Sequence, residues 1–600
     1  MRRHTTILAA VLLFLVHQAI GQPSAKLHWQ PWSESVFQQA RTEHKFVLLD
    51  LEAVWCHWCH VMDDITYRDP DVVRLLNQRY LLVKVDQDSR PDISNRYQDY
   101  GWPATVVFAT NGSEIVKRQG YLPPRAMASM LQAIIDDPSP GPSVEKEAVF
   151  HPATASSLSP ATMTKVKTAY ERQYDRSAAG WGFGHKYLDA DSAEYALRLA
   201  ARNDATYNKR ANDTLHAATA LLDPVWGGMY QYSVGGHWSE PHYEKLLSIQ
   251  AATLHVYSLA FAQTQDREYL RAARSVYEYT TRFLMAPDAG VFFVSQDADS
   301  PHANLENGQE DDAYFKLSDA DRRAHGIPAI DRHVYARENG WMIAALCDYY
   351  AVTGDPAVLS RAQRAAAWIV MHRSIPGGGF RHDDRDPAGP YLADTMAMGQ
   401  AMLALYNVTG DSSQLAGASA AAQFIAASFK PSARGTGYVT ATNPTDSAYK
   451  PHPDRDENIA LARFASTLAF TTSDKQHRAL ADEAMRYVAA ESVALRPMSA
   501  GILLASEDTQ LAPLHVTIVG SLRNPETISL RNAALRSIAS HEVIELRDPG
   551  EASSLPTTIE YPKLNRPALF ICSATACSSP VFTYGEVRPK IRKAQLQLSQ

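Results

Sequence analysis

Cysteine is scarce in this chain. Five in 600 residues are too few for a disulfide-built scaffold, so apolar cores must carry the fold. A basic excess is missing as well. The 58 Lys and Arg stand against 65 Asp and Glu, a net charge of −7, which excludes the electrostatic footprint of a nucleic-acid binder or a polybasic membrane binder. Charged residues make up only 20% against 45% hydrophobic, which excludes a charged disordered chain. After the first twenty residues no run of eighteen apolar residues occurs, so a multi-spanning membrane protein is excluded too. What remains is a chain long enough for several globular domains.

The beginning of the chain has the pattern of an export signal. Met1-Arg2-Arg3-His4 is basic, Ile7 to Val16 is a ten-residue apolar run, and Ala19-Ile20-Gly21 offers small residues for cleavage. Ten helical residues reach about 15 Å, half a bilayer core. The reading is a signal peptide over residues 1–21 and a protein exported to the periplasm or the extracellular space, with no membrane span after cleavage. Cysteine pairs there are redox-active or disulfide-bonded.

Residues 22–137 read as an α/β domain. A helix is expected over 34–44, capped by Ser33, then a strand over Phe46 to Leu51. Glu52-Ala53-Val54-Trp55-Cys56-His57-Trp58-Cys59-His60 follows, leading into a helical stretch through about Gln78. A strand over Tyr80 to Asp86, a third entered from Trp102-Pro103-Ala104-Thr105, and an Asn111-Gly112 hairpin turn into Glu114 to Arg118 complete it. A Cys-x-x-Cys pair between strand and helix suits thiol chemistry. The first thiol lies at a helix N-terminus that stabilises its thiolate, and the second can resolve a mixed disulfide. The same residues leave three rivals open: covalent haem attachment through Cys56-His57-Trp58-Cys59-His60, a zinc site of Cys56, His57, Cys59 and His60, and a purely structural disulfide. The two histidines either tune the thiolate or are plain helix-start residues.

Trp55-Cys56-x-x-Cys59 after an apolar strand, Asp50 six residues earlier, and Trp102-Pro103-Ala104-Thr105 resemble a thioredoxin fold. That resemblance implies a cis Pro103 facing the disulfide and a buried Asp50 that assists proton transfer to the resolving thiol.

A proline-rich linker over 138–160 separates this domain from a helical series read at about 161–174, 192–203, 207–222, 245–264, 267–284, 338–353, 355–372, 394–409, 412–429, 457–472 and 475–492. Asp204, Asp266, Asp355, Asp411 and Asp474 each open a helix, with Gly354 and Gly410 closing the ones before. These short turns alternate with glycine-aromatic loops: Gly180-Trp181, Gly228-Met229-Tyr230, Gly290-Val291-Phe292, Gly379-Phe380 and Gly437-Tyr438. Helical hairpins with every long loop on one face close best into an all-α (α/α)6 toroid over 161–500. Its loops carry Trp238, His242, Glu244, Asp297 and Asp299, a candidate cleft of acids and aromatics suited to a carbohydrate.

With the CHWCHVM run, Gly182-Phe183-Gly184-x-Lys186, Tyr232-Ser233-Val234, Pro241-His242-Tyr243-Glu244-Lys245, Asp297-Ala298-Asp299-Ser300 and Asn339-Gly340, residues 28 to 585 resemble the spermatogenesis-associated protein 20 family. The resemblance implies a thioredoxin-like domain followed by a six-hairpin toroid similar to glycoside hydrolases and N-acylglucosamine 2-epimerases. Relatives typically carry Leu-Glu-Asp-Tyr-Ala where this chain has Leu392-Ala393-Asp394-Thr395-Met396, and Trp-Asn-Gly where it has Glu338-Asn339-Gly340.

Residues 501–600 read as a small α/β module, with strands at His515 to Gly520, 542–545 and 567–571 and a helix over 526–538. Cys572 and Cys577 are either a local disulfide clip or a second redox pair exchanging with Cys56, and Cys347 is a buried, inert thiol. The sequence therefore predicts a thiol-disulfide oxidoreductase using Cys56, Cys59, Asp50 and Pro103, acting on a protein thiol or disulfide substrate or an electron donor, with no cofactor and no metal. Its alternative is a carbohydrate-active or carbohydrate-binding toroid with a structural thioredoxin-like domain.

Overall fold

The computed structural model describes residues 26–144, 150–303, 305, 312–430, 435–442, 450–537, 542–548, 560–573 and 576–598. The predicted signal peptide, residues 1–21, lies outside the described residues. No described helix is long and apolar enough to cross a membrane.

The first domain is a five-stranded mixed sheet of β1 (Trp29–Gln30), β2 (Phe46–Glu52), β3 (Tyr80–Asp86), β4 (Ala104–Phe108) and β5 (Glu114–Gln119) in the order β1-β3-β2-β4-β5. β2 runs parallel to β3 and antiparallel to β4. Helices α1 (Glu34–Glu43), α2 (His57–Asp64), α3 (Pro70–Arg79), α4 (Pro91–Tyr97) and α5 (Pro124–Asp136) surround it. Separate apolar cores fill the two faces, one around Phe37, Val83 and Val106 and one around Leu48, Leu76 and Leu131. The helical stretch expected through Gln78 is two helices, because Asp69-Pro70 opens a new one: Asp69 caps the Asp71 and Val72 amides, and proline at the first position needs no N–H. Ser33 stands at the α1 N-cap but makes no capping bond; its hydroxyl pairs with Ser35. Sequence patterning left α4 and α5 unread, and both start at proline.

The toroid uses twelve main helices. The outer set is α6 (Pro160–Gln173), α8 (Ala205–Ala218), α10 (Arg267–Tyr279), α14 (Pro356–Arg373), α16 (Ser412–Ser428) and α18 (Lys475–Val488). The inner set is α7 (Ala190–Ala201), α9 (Leu247–Thr264), α13 (Ala336–Thr353), α15 (Leu392–Thr409), α17 (Arg455–Thr472) and α20 (Ala500–Gln510). Short helices α11 (Asp312–Phe315), α12 (Asp319–His325) and α19 (Glu491–Ala494) sit in the connections. Each inner helix packs on the next, and α20 returns to α7, so the ring is closed. α20 is therefore an inner helix that the expected boundary at residue 500 cuts off. Its apolar residues, Ala500 to Ala505, precede its polar ones, Ser506 to Gln510, so no helical alternation announces it.

Short turns follow the capping chemistry of the sequence. Asp204, Asp266, Asp355, Asp411 and Asp474 all accept backbone N–H groups at helix starts. Gly354 and Gly410 end α13 and α15 with φ of 70° and 75°, a conformation that costs glycine little. The long loops carry short strands: β6 (Tyr232–Ser233) pairs with β7 (Pro241–His242), β8 (Lys245–Leu246) with β9 (Ser295–Gln296) and β9 with β10 (Ile330–Asp331), and β11 (Ser374–Ile375) with β12 (Gly379–Phe380).

A device not read from sequence repeats here. The fourth residue of successive inner helices holds the aromatic or methionine backbone of the preceding glycine turn: Gln250 holds Met229, Asn339 holds Phe292, Thr395 holds Phe380 and Asn458 holds Tyr438. Asn339 so has a structural task. Its neighbour Gly340 lets α13 and α15 touch, since a Cβ there would stand 2.6 Å from the Ala397 carbonyl carbon.

The C-terminal module has β13 (Leu514–Val519) between parallel β14 (Glu542–Arg547) and antiparallel β15 (Ala568–Cys572), with α21 (Pro525–Leu535) and α22 (Tyr584–Leu598). α22 went unread because Pro589 interrupts its helical pattern. The module covers the short-turn face: Arg536 donates to the Thr353 carbonyl, Arg588 to the Gln263 carbonyl, and Leu546 lies against Gly410. Its core is continuous with the toroid's, so it is an extension of that domain rather than a separate body.

Candidate functional site

The first domain lies over the long-loop face, opposite the C-terminal module. Cys56 is the N-cap of α2, where its Sγ accepts the Cys59 N–H at 3.2 Å, and the two cysteines form a disulfide. While that bond is formed, neither sulfur is free for a haem thioether or a zinc ion. Trp102-Pro103 is a cis peptide, and Leu51 pairs with Ala104, so Pro103 enters β4 beside the end of β2 that leads to Cys56. Asp50, one position earlier on β2, is buried, and its burial pushes it up to about 7 although Lys84 Nζ lies 3.5 Å away. Lys84 also binds Glu52 and Asp63.

Both sulfurs are sealed in. Cys56 and Cys59 are 4% and 3% exposed, packed with Trp55 and Ala53 against Trp58, Trp102 and, from the toroid, Leu246. The toroid also supplies Asp299. Its two oxygens take His57 Nδ1 and His60 Nδ1, each at 2.6 Å. His60 Nε2 donates to the Val54 carbonyl at 3.0 Å, so both ring nitrogens face acceptors and only the imidazolium satisfies them. Burial opposes that charge, but the Asp299 hydrogen bond and the charges of Asp297 and Asp299 outweigh it and raise His60 to about 9. Burial likewise opposes the Asp299 charge, and the two histidines bring it down to about 2. Burial lifts Asp297 to about 6. A cation thus sits one helical turn after Cys56, on the same face of α2, where it favours a thiolate.

His60, Asp297 and Asp299 place ligand atoms within 4.8 Å of one another, a spacing open to a cation. The imidazole bonds already engage both Asp299 oxygens.

The same interface continues away from the disulfide. Trp55 Nε1 donates to Asp88, whose carbonyl accepts His382 Nε2 at 2.7 Å, and His382 Nδ1 binds Asp394 at 2.8 Å. His382 is again an imidazolium between two acceptors, raised to about 9 by Asp394 against the cost of burial. Asn95 and Gln98 donate to Glu457 and Asp454 at the start of α17.

The predicted residues separate into two groups. Cys56, Cys59, Asp50 and Pro103 gather in the first domain. Asp297 and Asp299 join them from the toroid, and the ladder that pairs Lys245 with Gln296 puts Glu244 beside Asp297. Trp238 and His242 stay with their own hairpin: the Trp238 indole donates to the Ala178 carbonyl over Gly180, and His242 stacks on Tyr232 with centroids 4.2 Å apart. Asp297 and Asp299 of the expected cleft thus face His57 and His60 of the Cys-x-x-Cys motif. His57 and His60 were the sequence signal for this contact; Asp88 and His382 were missed, since nothing local marks them, and Asp394 was noted only as part of the Leu392-Ala393-Asp394 run.

Cys572 and Cys577 also form a disulfide, across a tight antiparallel turn with Cα atoms 4.0 Å apart. They belong to the module on the far face of the toroid. α13 and α15, with 18 residues each, span about 27 Å between the two faces. In the docked state the two pairs therefore do not meet, and the Cys572–Cys577 bond closes a local loop of sequence separation 5. Cys347 is buried, and burial pushes its thiol up.

The family described as Thioredox_DsbH, a protein of unknown function (DUF255), matches residues 15–136. Spermatogenesis-associated protein 20 of Mus musculus is 27% identical over 312 residues, 46% of this chain and 39% of that protein. Its human counterpart is 27% identical over 324 residues, 48% of this chain and 41% of that protein. The match spans less than half the length of these curated relatives. The thiol:disulfide interchange protein DsbD of Campylobacter jejuni is 30% identical across 93 residues, 15% of this chain and 16% of that protein. Among solved structures, a cellobiose 2-epimerase from Bacillus thermoamylovorans covers 55% of this chain and 86% of its own at 12% identity, with a TM-score of 0.42.

Proposed function

We propose that the protein carries out thiol–disulfide exchange through Cys56 and Cys59. The observation that carries this reading is the disulfide at the N-terminus of α2, with a histidine cation one turn on and a buried acid on the preceding strand. A substrate thiolate attacks Cys56 Sγ, forming a mixed disulfide and releasing the Cys59 thiolate, which takes its proton from Asp50. A second substrate thiolate then attacks the substrate sulfur of that mixed disulfide. It releases a substrate disulfide and the Cys56 thiolate, so two electrons pass from two thiols to the pair. The reverse sequence oxidises the pair's dithiol with a disulfide substrate. Pro103 borders the groove that receives the substrate chain.

The protein substrate or electron donor reaches the sulfurs once the first domain lifts from the toroid, whose loops cover them in the docked state. Export follows from the basic start and the apolar run of residues 1–21, and an oxidising compartment suits the disulfide state.

The test is trapping. A Cys59→Ser protein should accumulate a mixed disulfide through Cys56 that dithiothreitol releases and that a Cys56→Ser, Cys59→Ser protein lacks. Absence of any such adduct, together with unchanged insulin reduction in Cys56→Ser, would sink the reading.

A further inference from the structure

A cavity of about 380 Å³ opens where the C-terminal module meets the short-turn face of the toroid. Its wall includes Phe261 near the end of α9, Val352 near the end of α13, Arg536 and Ser537 just after α21, and Tyr584 and Arg588 of α22. None of its lining residues belongs to the first domain. Its size falls within the roughly 300–1,000 Å³ typical of small-molecule sites.

Positive charge gathers here. Arg588 donates to the Gln263 carbonyl at 2.7 Å, and Arg592, one turn on and outside the wall, donates to the same oxygen at 3.1 Å. Arg536 donates to the Thr353 carbonyl at 3.1 Å and to the Tyr584 hydroxyl at 3.4 Å. Both carbonyls lie in the last turns of their helices, so the arginines serve the C-terminal ends of α9 and α13. That service does not balance them. Each helix end offers about half a negative charge, two ends against three guanidinium groups. Among the described residues no carboxylate pairs with any of the three. The acids on bordering segments are engaged with other donors: Asp266 takes the Glu268 N–H, Asp355 the Ala357 N–H and Glu586 the Thr583 hydroxyl. Burial and the neighbouring Arg592 charge accordingly push Arg588 down.

An anion in the cavity supplies the missing charge. The carbonyl bonds leave most of the five N–H groups of each guanidinium unspent, and the Tyr584 hydroxyl, which accepts from Arg536, keeps its own proton to donate. Two arginines and a tyrosine together call for more acceptor oxygens than the two of a carboxylate. A phosphomonoester has three terminal oxygens, and arginine bonds them in pairs. The phosphate fills only part of the cavity. The rest of the wall, with Phe261, Val352 and the half-exposed Tyr584 ring, suits an apolar or aromatic group.

We propose that this cavity binds a phosphomonoester of an apolar or aromatic alcohol, its phosphate between Arg536, Arg588 and the Tyr584 hydroxyl and its organic group on Phe261 and Val352. The site is independent of the exchange chemistry, whose sulfurs lie on the opposite face of the toroid.

The test uses the full-length protein in a calorimetric titration with phenyl phosphate and butyl phosphate, with inorganic phosphate and benzoate for comparison. At least one phosphomonoester should bind, and bind at least about tenfold more tightly than either comparison anion. Arg536→Gln and Arg588→Gln should each weaken that binding about tenfold while helical circular dichroism is unchanged. Tyr584→Phe, at an exposed position that holds no helix end, should weaken it about threefold and serves if an arginine variant fails to fold. Binding should persist in Cys56→Ser, Cys59→Ser, which separates this outcome from failure of the exchange chemistry. No binding by either phosphomonoester overturns the proposal. So does a comparison anion that binds within tenfold of the better phosphomonoester, or affinity unmoved in Tyr584→Phe or in an arginine variant that folds.

Discussion

On one face of the toroid the first domain rests on hydrogen bonds and ion pairs of His57, His60 and Asp299, of His382 with the Asp88 carbonyl, and of Asn95 and Gln98 with α17. On the other face the C-terminal module shares one apolar core with the helices beneath it, Leu514, Ile518, Ile544 and Leu569 packing into the same cluster as Leu254 and Leu405. Polar contacts that water can replace give little net stability, whereas exposing a contiguous apolar core costs a great deal. The fused face is thus built to stay closed. The other face is held mainly by polar contacts, and it is where the Cys56–Cys59 disulfide lies.

That contrast can be broken from either side. The largest effect should come from Ile518→Ala on β13, a fully buried position in the shared core. It should cost about 2–5 kcal/mol and lower the denaturation midpoint of toroid and module together, in one transition. Two separate transitions would show that the cores are independent. Replacing Cys572 and Cys577 by alanine removes a short loop constraint and should cost about 2 kcal/mol in denaturant titrations without altering exchange chemistry at Cys56. A loss of turnover there would contradict the clip.

On the polar face, Asp299→Asn should speed amide hydrogen exchange in α2 and in the loop around residues 295–300 about tenfold, which corresponds to ~1.4 kcal/mol of docking. Exchange across the C-terminal contact should not change. The smallest effect is on pH. His60 has a raised value in the docked state, so its contribution is complete below the ordinary histidine value near 6.5 and fades as pH rises through about 9. Protection of α2, corrected for intrinsic exchange rates, should decline over that range and do so less in Asp299→Asn. Identical slopes in both proteins would remove His60 from the docking energetics.

Much of the local architecture was legible. Aspartate caps, left-handed glycines and the strand-to-helix placement of Cys56 are decided within a few residues, by backbone N–H groups needing acceptors and by φ values that favour glycine. Helix positions in the toroid therefore differ from expectation by a few residues. α20 and α22 failed for different reasons, the first because its apolar residues come first and its polar ones last, with no helical alternation, and the second because Pro589 breaks it. Of the candidate cleft, Asp297 and Asp299 were seen as acids, but their contact with His57 and His60 across some 240 positions was not.

By itself the sequence determined which residues could do thiol chemistry and where helices begin and end, because those choices rest on short-range hydrogen bonding and sterics. The tertiary structure alone decided that Asp299 meets histidines 239 and 242 positions away, that two disulfides sit on opposite faces, and that six helices line one cavity. Such contacts are set by ring closure and domain docking, whose energies depend on surfaces brought together from distant segments and leave no periodic trace in the chain.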